Sequence, residues 1–171
     1  MASAPTYTPI ATQTLATGAS SVTFSSIPQT YTDLVLVTQE YTTGTPTAYG
    51  ISVQFNGDTG SNYSNTLVSG NGSSAASSRA TNKIGAWIGY ESYSANWTNI
   101  VTNIQNYSNS TTYKTLITRS SVASNYVAAG TSLWRNTGAI SSITVLSTDF
   151  GSASTPFVAG STFTLYGITA A

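Results

Sequence analysis

The side chains that most often carry out catalysis are scarce in this sequence. It contains no histidine and no cysteine, so the usual general base, the thiol nucleophile and metal sites built from imidazole or thiolate are missing. The remaining candidates are carboxylates, which are isolated from one another along the chain: Asp33, Glu40, Asp58, Glu91 and Asp149. A glycosidase needs two such groups as acid and base, and no spacing here pairs them. The sequence therefore predicts a protein that is not an enzyme and that uses no cofactor.

One short segment, Asn56–Asn62, carries several oxygen-bearing side chains at close spacing, as a calcium-binding loop does. It lacks the repeated acidic residues and the terminal bidentate glutamate that give such loops their affinity. A hairpin turn is the better interpretation, because Asn56 and Gly57 both accept positive φ angles. We expect no metal site in this segment.

Aromatic side chains form the other group that could bind a ligand: Trp87, Tyr90, Tyr93 and Trp97. If exposed, they could stack on the sugar rings of a glycan or anchor a protein interface. Alternatively, the two tryptophans belong to the core and the tyrosines lie at its rim. The second interpretation is favoured, because burying a tryptophan gains much more free energy than exposing it.

Polarity comes from hydroxyl and amide groups rather than from charges. Charged residues are 6% of the 171 residues and the net charge is zero, whereas Ser and Thr together number 57 and Asn 12. Threonine favours strands, and Ser, Asn and Gly favour turns. The few basic residues are scattered, which argues against nucleic-acid binding. A charge near zero gives little repulsion between copies and suits a subunit of an assembly.

The hydrophobic pattern predicts short strands separated by polar turns. Leu34–Val37 is a run of four aliphatic residues, as in a central strand covered on both faces. The stretch from Tyr49 to Phe55 alternates as a half-buried strand does. The segment Ser69–Arg79 has nothing to bury and is predicted to be a long surface loop. About ten strands at this spacing predict an all-β fold, an antiparallel β-sandwich of jelly-roll type.

The beginning of the chain is predicted to lie outside this domain. Pro5 and Pro9 each remove a backbone donor and restrict the preceding residue to extended conformations. Residues 1–12 are therefore interpreted as an extended arm, and residues 13–171 as one β-sandwich domain. The residues of the arm expected to contact a partner are Ala2, Pro5, Tyr7 and Pro9. The sequence starts with its own Met and shows no signal peptide or spanning apolar run. We therefore expect synthesis in a bacterial cytoplasm and no membrane insertion.

Three stretches together resemble a family of small structural virion proteins of tailed bacteriophages, of the decoration or fibre type. They are the residues from Ser20 to Leu36, from Phe55 to Ser64 and from Phe157 to Ile168. This order is similar to structural proteins, and to domains of longer fibre proteins, in phages of marine and freshwater bacteria, including cyanophages. The resemblance extends from about Ile10 to Ile168. It implies a virion component and supplies no catalytic motif.

The favoured functional expectation is a capsid decoration (cement) protein that stabilises an icosahedral head. The chain looks like a standalone subunit without shaft repeats, and proteins of this kind usually form homotrimers bound to the major capsid protein. Its Pro/Thr-rich arm could add to the edge of a neighbouring sheet. The alternative is a tail-fibre or receptor-binding tip module that recognises host-surface glycan through the aromatic residues.

Overall fold

The regular structure is entirely β-strand in the described part of the chain. The computed structural model describes residues 6–43, 50–90, 96–122, 125–148 and 155–169. The strands found there are β1 (Tyr7–Thr14), β2 (Ser21–Phe24), β3 (Asp33–Glu40), β4 (Gly50–Phe55), β5 (Tyr63–Gly70), β6 (Ala75–Lys83), β7 (Ala86–Tyr90), β8 (Thr98–Ile104), β9 (Lys114–Val122), β10 (Tyr126–Trp134), β11 (Ile143–Leu146) and β12 (Thr162–Ile168). No helix long and apolar enough to cross a bilayer occurs among these residues.

The strands form two antiparallel sheets that enclose the core. The large sheet has the order β1-β12-β3-β8-β9-β10-β5-β6, and the small sheet has the order β2-β11-β4-β7. The main core cluster draws buried residues from both, for example Leu34 and Leu36 from the large sheet and Ile51 and Val53 from the small one. The predicted all-β sandwich is confirmed.

The strand order follows the jelly-roll scheme with additions. The chain alternates between the sheets: β2 is followed by β3 across the core, β4 returns, β5 and β6 cross again, and β7 returns. A jelly roll places eight strands in two Greek keys. Here the antiparallel meander β8–β10 occupies the place of one strand of that scheme, while β1 and β12 extend the large sheet at one edge.

Two sequence expectations about individual strands are confirmed. Leu34–Val37 lies in β3, a central strand hydrogen-bonded to both β12 and β8. The turn after β4 is made by Asn56 and Gly57 with φ angles of 53° and 69°, as the Asn-Gly pair predicts. The predicted hairpin is wrong, however, because β4 lies in the small sheet and the next strand, β5, lies in the large one.

The predicted loop Ser69–Arg79 is wrong. Its residues complete β5, turn at Asn71–Ser74, and continue as β6 along β5. Each residue of β6 from Ala75 to Arg79 is exposed. A strand exposed on both faces has no hydrophobic alternation, so its partner strand and not its own pattern determines its conformation.

The predicted arm also differs from the structure, because part of it is a strand. Tyr7–Thr14 forms β1 and pairs with β12 of the same chain, so the proposed boundary at residue 12 lies inside a strand. Pro9 is tolerated because β1 is an edge strand and its register shifts between Pro9 and Ala11, the kind of position where a missing N–H disrupts least. Ala2 and Pro5 lie outside the described residues.

The small sheet approaches the large sheet most closely along β7. The Ser132 hydroxyl donates to the Trp87 carbonyl at 2.8 Å, and the Thr118 hydroxyl donates to the Ile88 carbonyl at 2.5 Å. A Cβ atom on Gly130 would lie 2.8 Å from the Trp87 ring. The absence of a side chain at this position of β10 therefore makes room for Trp87 between the sheets.

Candidate functional site

The described carboxylates lie in three different places of the fold. Asp33 accepts a hydrogen bond from the Asn106 amide at 2.7 Å, Glu40 is fully buried at the end of β3, and Asp58 lies in the turn after β4. Glu91 and Asp149 lie outside the described residues. Among the described residues, no group of three or more His, Cys, Asp or Glu side chains is placed to hold a metal ion.

Asp58 fastens the Asn56–Asn62 turn to β10. Its carboxylate accepts hydrogen bonds from the Gly60 amide at 2.8 Å, the Asn62 side chain at 2.9 Å and the Trp134 indole at 2.7 Å. Burial alone would raise the pKa of Asp58, but the hydrogen bonds from Trp134, Asn62 and Gly60 lower it below its ordinary value. The carboxylate of the segment compared with a calcium-binding loop thus stabilises the turn through hydrogen bonds.

Lys114 is a buried cation with a structural role. Its Nζ donates to the carbonyl oxygens of Thr112 at 2.8 Å and Thr137 at 3.0 Å, which connects the start of β9 to the segment after β10. Burial lowers the pKa of this amine, because desolvation disfavours its charged form. The side chain is fully buried and is therefore not available to a ligand.

The four aromatic residues singled out from the sequence do not share one site. Trp87 is 2% exposed, so its predicted place in the core is confirmed. Tyr90 packs edge-on against it with ring centroids 5.4 Å apart. The same prediction for Trp97 is wrong: Trp97 is only partly buried, and its ring packs against that of Tyr41 with centroids 4.9 Å apart. Tyr93 lies outside the described residues.

A second tyrosine joins Tyr90 to form a groove. Tyr126, at the start of β10, lies 5.4 Å from Tyr90 between ring centroids, tilted by 35°. The groove beside them has a volume of about 290 Å³ and, besides the two rings, is lined by Ser69, Gly70, Asn71, Ser74 and Ala76. We call it the tyrosine groove. A ligand in this groove could stack on the aromatic rings and form hydrogen bonds with the neighbouring hydroxyl and amide groups.

The floor of the tyrosine groove is held by the β5–β6 turn. Asn71 accepts hydrogen bonds from the amides of Ser73 at 3.0 Å and Ser74 at 2.8 Å, a local Asx-type arrangement.

The sequence did not identify Tyr126 as a partner of Tyr90, because they meet only when β7 packs over β10. Their separation along the chain carries no signal of this contact.

The outer face of the large sheet carries exposed aliphatic side chains. The alternating pattern of β9 and β10 turns one set of residues inward and the other outward. The outward side chains include Val68 at 57%, Ile117 at 52% and Val127 at 63% exposure. We define the outer patch as Val68, Val101, Ile117, Arg119, Val127 and Ala129.

The outer patch is continuous across four strands. Pairing aligns Val68 with Ala129, Ala129 with Arg119, and Arg119 with Val101, from β5 to β8. A shallow groove of about 410 Å³ runs between Val68, Val127 and Arg119. Solvent-exposed aliphatic groups that adjoin in this way mark surfaces for association.

The two arm residues that are described lie at the other edge of the same sheet. Tyr7 is 56% exposed and packs edge-on against Tyr166 of β12 at 6.2 Å. Pro9 is also exposed. The backbone of this segment is hydrogen-bonded to β12 of the same chain. One side of the segment is therefore already paired and cannot bind a partner strand.

Comparisons with known proteins identify no family. No protein-family model matches the chain. No curated protein matches it either. Among solved structures, the chain aligns with a crystal structure of a protein of unknown function from Shewanella oneidensis MR-1. That alignment covers 100% of this chain and 82% of the other, at 9% identity and a TM-score of 0.21. A TM-score this low supports no conclusion about fold or function.

Proposed function

We propose that the protein is a structural component of a tailed-phage virion and decorates the capsid, where it binds the major capsid protein as a homotrimer. The observation that carries the proposal is the outer patch, an exposed surface of the large sheet that is aliphatic except for Arg119. The three sequence stretches that resemble phage structural proteins supply the virion setting. The low content of charged residues, 6%, fits a protein that works while surrounded by copies and neighbours.

Energetically, decoration does not require a deep pocket. Many shallow contacts repeated over a shell add up through multivalency, because each bound site raises the effective concentration of the next. The outer patch suits contacts of this kind, since its members other than Arg119 are aliphatic side chains that lose little rotamer entropy on binding.

Replacing Val127 with aspartate is the direct test of docking. The carboxylate would have to be desolvated against aliphatic side chains, so we expect binding to weaken by at least about tenfold. Heads lacking the protein are mixed with the purified wild-type or variant protein, pelleted, and the bound fraction is quantified. Ser21→Asp, an exposed position on β2 of the other sheet, is the matched control.

Two outcomes would contradict the proposal at different points. If wild-type protein does not pellet with heads, the capsid location is wrong. If V127D pellets as well as the wild type, the protein docks by another surface. Circular dichroism of each variant shows whether a loss of binding is a loss of folding.

A second candidate function, a fibre or tip module that binds host glycan, is favoured by the tyrosine groove. Tyr90 and Tyr126 offer aromatic faces beside the Asn71 and Ser74 side chains, the combination that holds a sugar ring. On a glycan array, Tyr126→Ala is expected to reduce any saccharide signal by about tenfold or more. Tyr113→Ala, at a tyrosine 54% exposed elsewhere, should leave that signal unchanged. An array with no bound saccharide would exclude this function.

A further inference from the structure

Among the strands of the described residues, β6 is an open edge of the large sheet. It is nine residues long, pairs with β5 on one side, and is exposed along nearly its whole length. An edge of this kind presents a row of backbone N–H and C=O groups that another polypeptide strand can satisfy. Ala75–Ala80 contains no proline and pairs with β5 in regular register; beyond it the register shifts and Asn82 has a φ angle of 55°, so the regular edge is Ala75–Ala80.

The charge of β6 makes pairing with a second copy unfavourable. Arg79 is the central residue of the strand. In an antiparallel pair of fully overlapping β6 strands, Arg79 would lie directly opposite Arg79 of the other copy, and like charges opposite one another are destabilising. The edge is therefore protected against its own copies.

The same charge selects a partner of opposite sign. Lys83 ends the strand, and Arg135 reaches it from the end of β10 by donating to the Asn82 side chain at 3.2 Å. Neither β5, β6 nor β10 contains an acidic residue. Asp58, in the turn before β5, is occupied by Trp134, Asn62 and Gly60. Among the described residues of these three strands, the charge on the regular part of the β6 edge is therefore that of Arg79.

We infer that β6 accepts an acidic, extended polypeptide segment of another protein as a ninth strand of the large sheet. Backbone hydrogen bonds provide the affinity, and a carboxylate facing Arg79 fixes the register. This inference names a second binding surface, beside the outer patch, and the chemistry of its partner. It does not depend on whether the protein belongs to a virion. Its test uses the isolated protein. A failure to bind capsids and a failure to bind peptides at β6 are therefore separate results.

The test uses three labelled nine-residue peptides: alternating Thr and Glu, and the same sequence with every Glu replaced by Gln or by Lys. Fluorescence anisotropy measures their affinity for the purified protein. We expect the Glu peptide to bind at least about tenfold more tightly than the Gln peptide, and the Lys peptide not to bind. Hydrogen exchange should slow at amides of Ala75–Lys83 when the Glu peptide is present.

Matched charge reversals localise the effect. Arg79→Glu should abolish the preference for the Glu peptide, whereas Ser21→Glu, at an exposed position of the small sheet, should retain it. Equal affinity for the Glu and Gln peptides, absence of binding, or exchange protection elsewhere would overturn the inference. In that case the basic residues of β6 serve only to keep copies apart, and Arg79→Thr should cause concentration-dependent association.

Discussion

Replacing Trp134 with alanine is expected to reduce the free energy of unfolding by about 3–5 kcal/mol, the range for truncating a large buried aromatic side chain. Trp134 is 1% exposed. Its ring packs against Phe55 at 5.3 Å and stacks on Tyr63 at 6.3 Å with planes 15° apart. The alanine would leave a cavity between these rings and remove the hydrogen bond from the indole to Asp58. Urea denaturation followed by circular dichroism measures the loss.

A phenylalanine at the same position separates the two contributions. Trp134→Phe keeps an aromatic ring but removes the N–H donor to Asp58, so it should cost less than the alanine variant. Part of its cost should depend on pH. The hydrogen bonds lower the pKa of Asp58, so their stabilisation is complete above the ordinary carboxyl pKa and is lost as the pH falls through the folded-state value. The difference between wild type and W134F should therefore shrink in acid; a difference constant with pH would contradict this account.

Gly167→Ala is expected to destabilise the fold by about 1–3 kcal/mol through overpacking. Gly167 lies in β12, and a Cβ atom there would be 2.3 Å from Cγ of Tyr31. The ring of Tyr31 packs on the core at this position, and its backbone amide donates to the Tyr107 hydroxyl at 3.4 Å. The added methyl group must therefore displace the ring or shift β12.

A double-mutant cycle tests this explanation. In a Tyr31→Ala background the methyl group has room, so Gly167→Ala should then cost little, and the coupling between the two positions should be large. Gly70→Ala is the control for strand conformation, since a Cβ there meets its neighbours at 3.8 Å and 4.0 Å, in ordinary contact. If Gly167→Ala costs the same with and without Tyr31, the ring is not the cause.

The sequence predicts local features of this fold well. The β3 run and the φ angles of the Asn56-Gly57 turn each depend on neighbouring residues, and the structure agrees with both predictions. The half-buried alternation predicted for β4 is wrong: every residue of this interior strand except Gln54 is buried, Ser52 included. The burial of Trp87 follows from the size of its side chain. By contrast, β6 lacks its own pattern and forms because β5 offers hydrogen-bonding groups to pair with.

The contacts that build the candidate sites are mostly not local. Tyr90 meets Tyr126 through packing of β7 over β10, and Asp58 meets Trp134 because the turn after β4 reaches β10. Likewise, the outer patch combines residues of β5, β8, β9 and β10 whose adjacency depends on the strand order. Hydrophobic patterning shows which side chains face outward but not which strands adjoin, so the patch could not be assembled from the sequence.

The pairing of β1 with β12 has a consequence for folding kinetics. Tyr7 lies opposite Ile168, so this pair closes a loop that contains almost the whole chain. Loop-closure entropy must be overcome before such a contact contributes free energy, and domains rich in distant pairings fold on the order of milliseconds to seconds. The meander β8–β10, whose strands follow one another closely along the chain, can form early. We therefore expect β1 to join last, so that the edge formed by β12 stays open during most of folding.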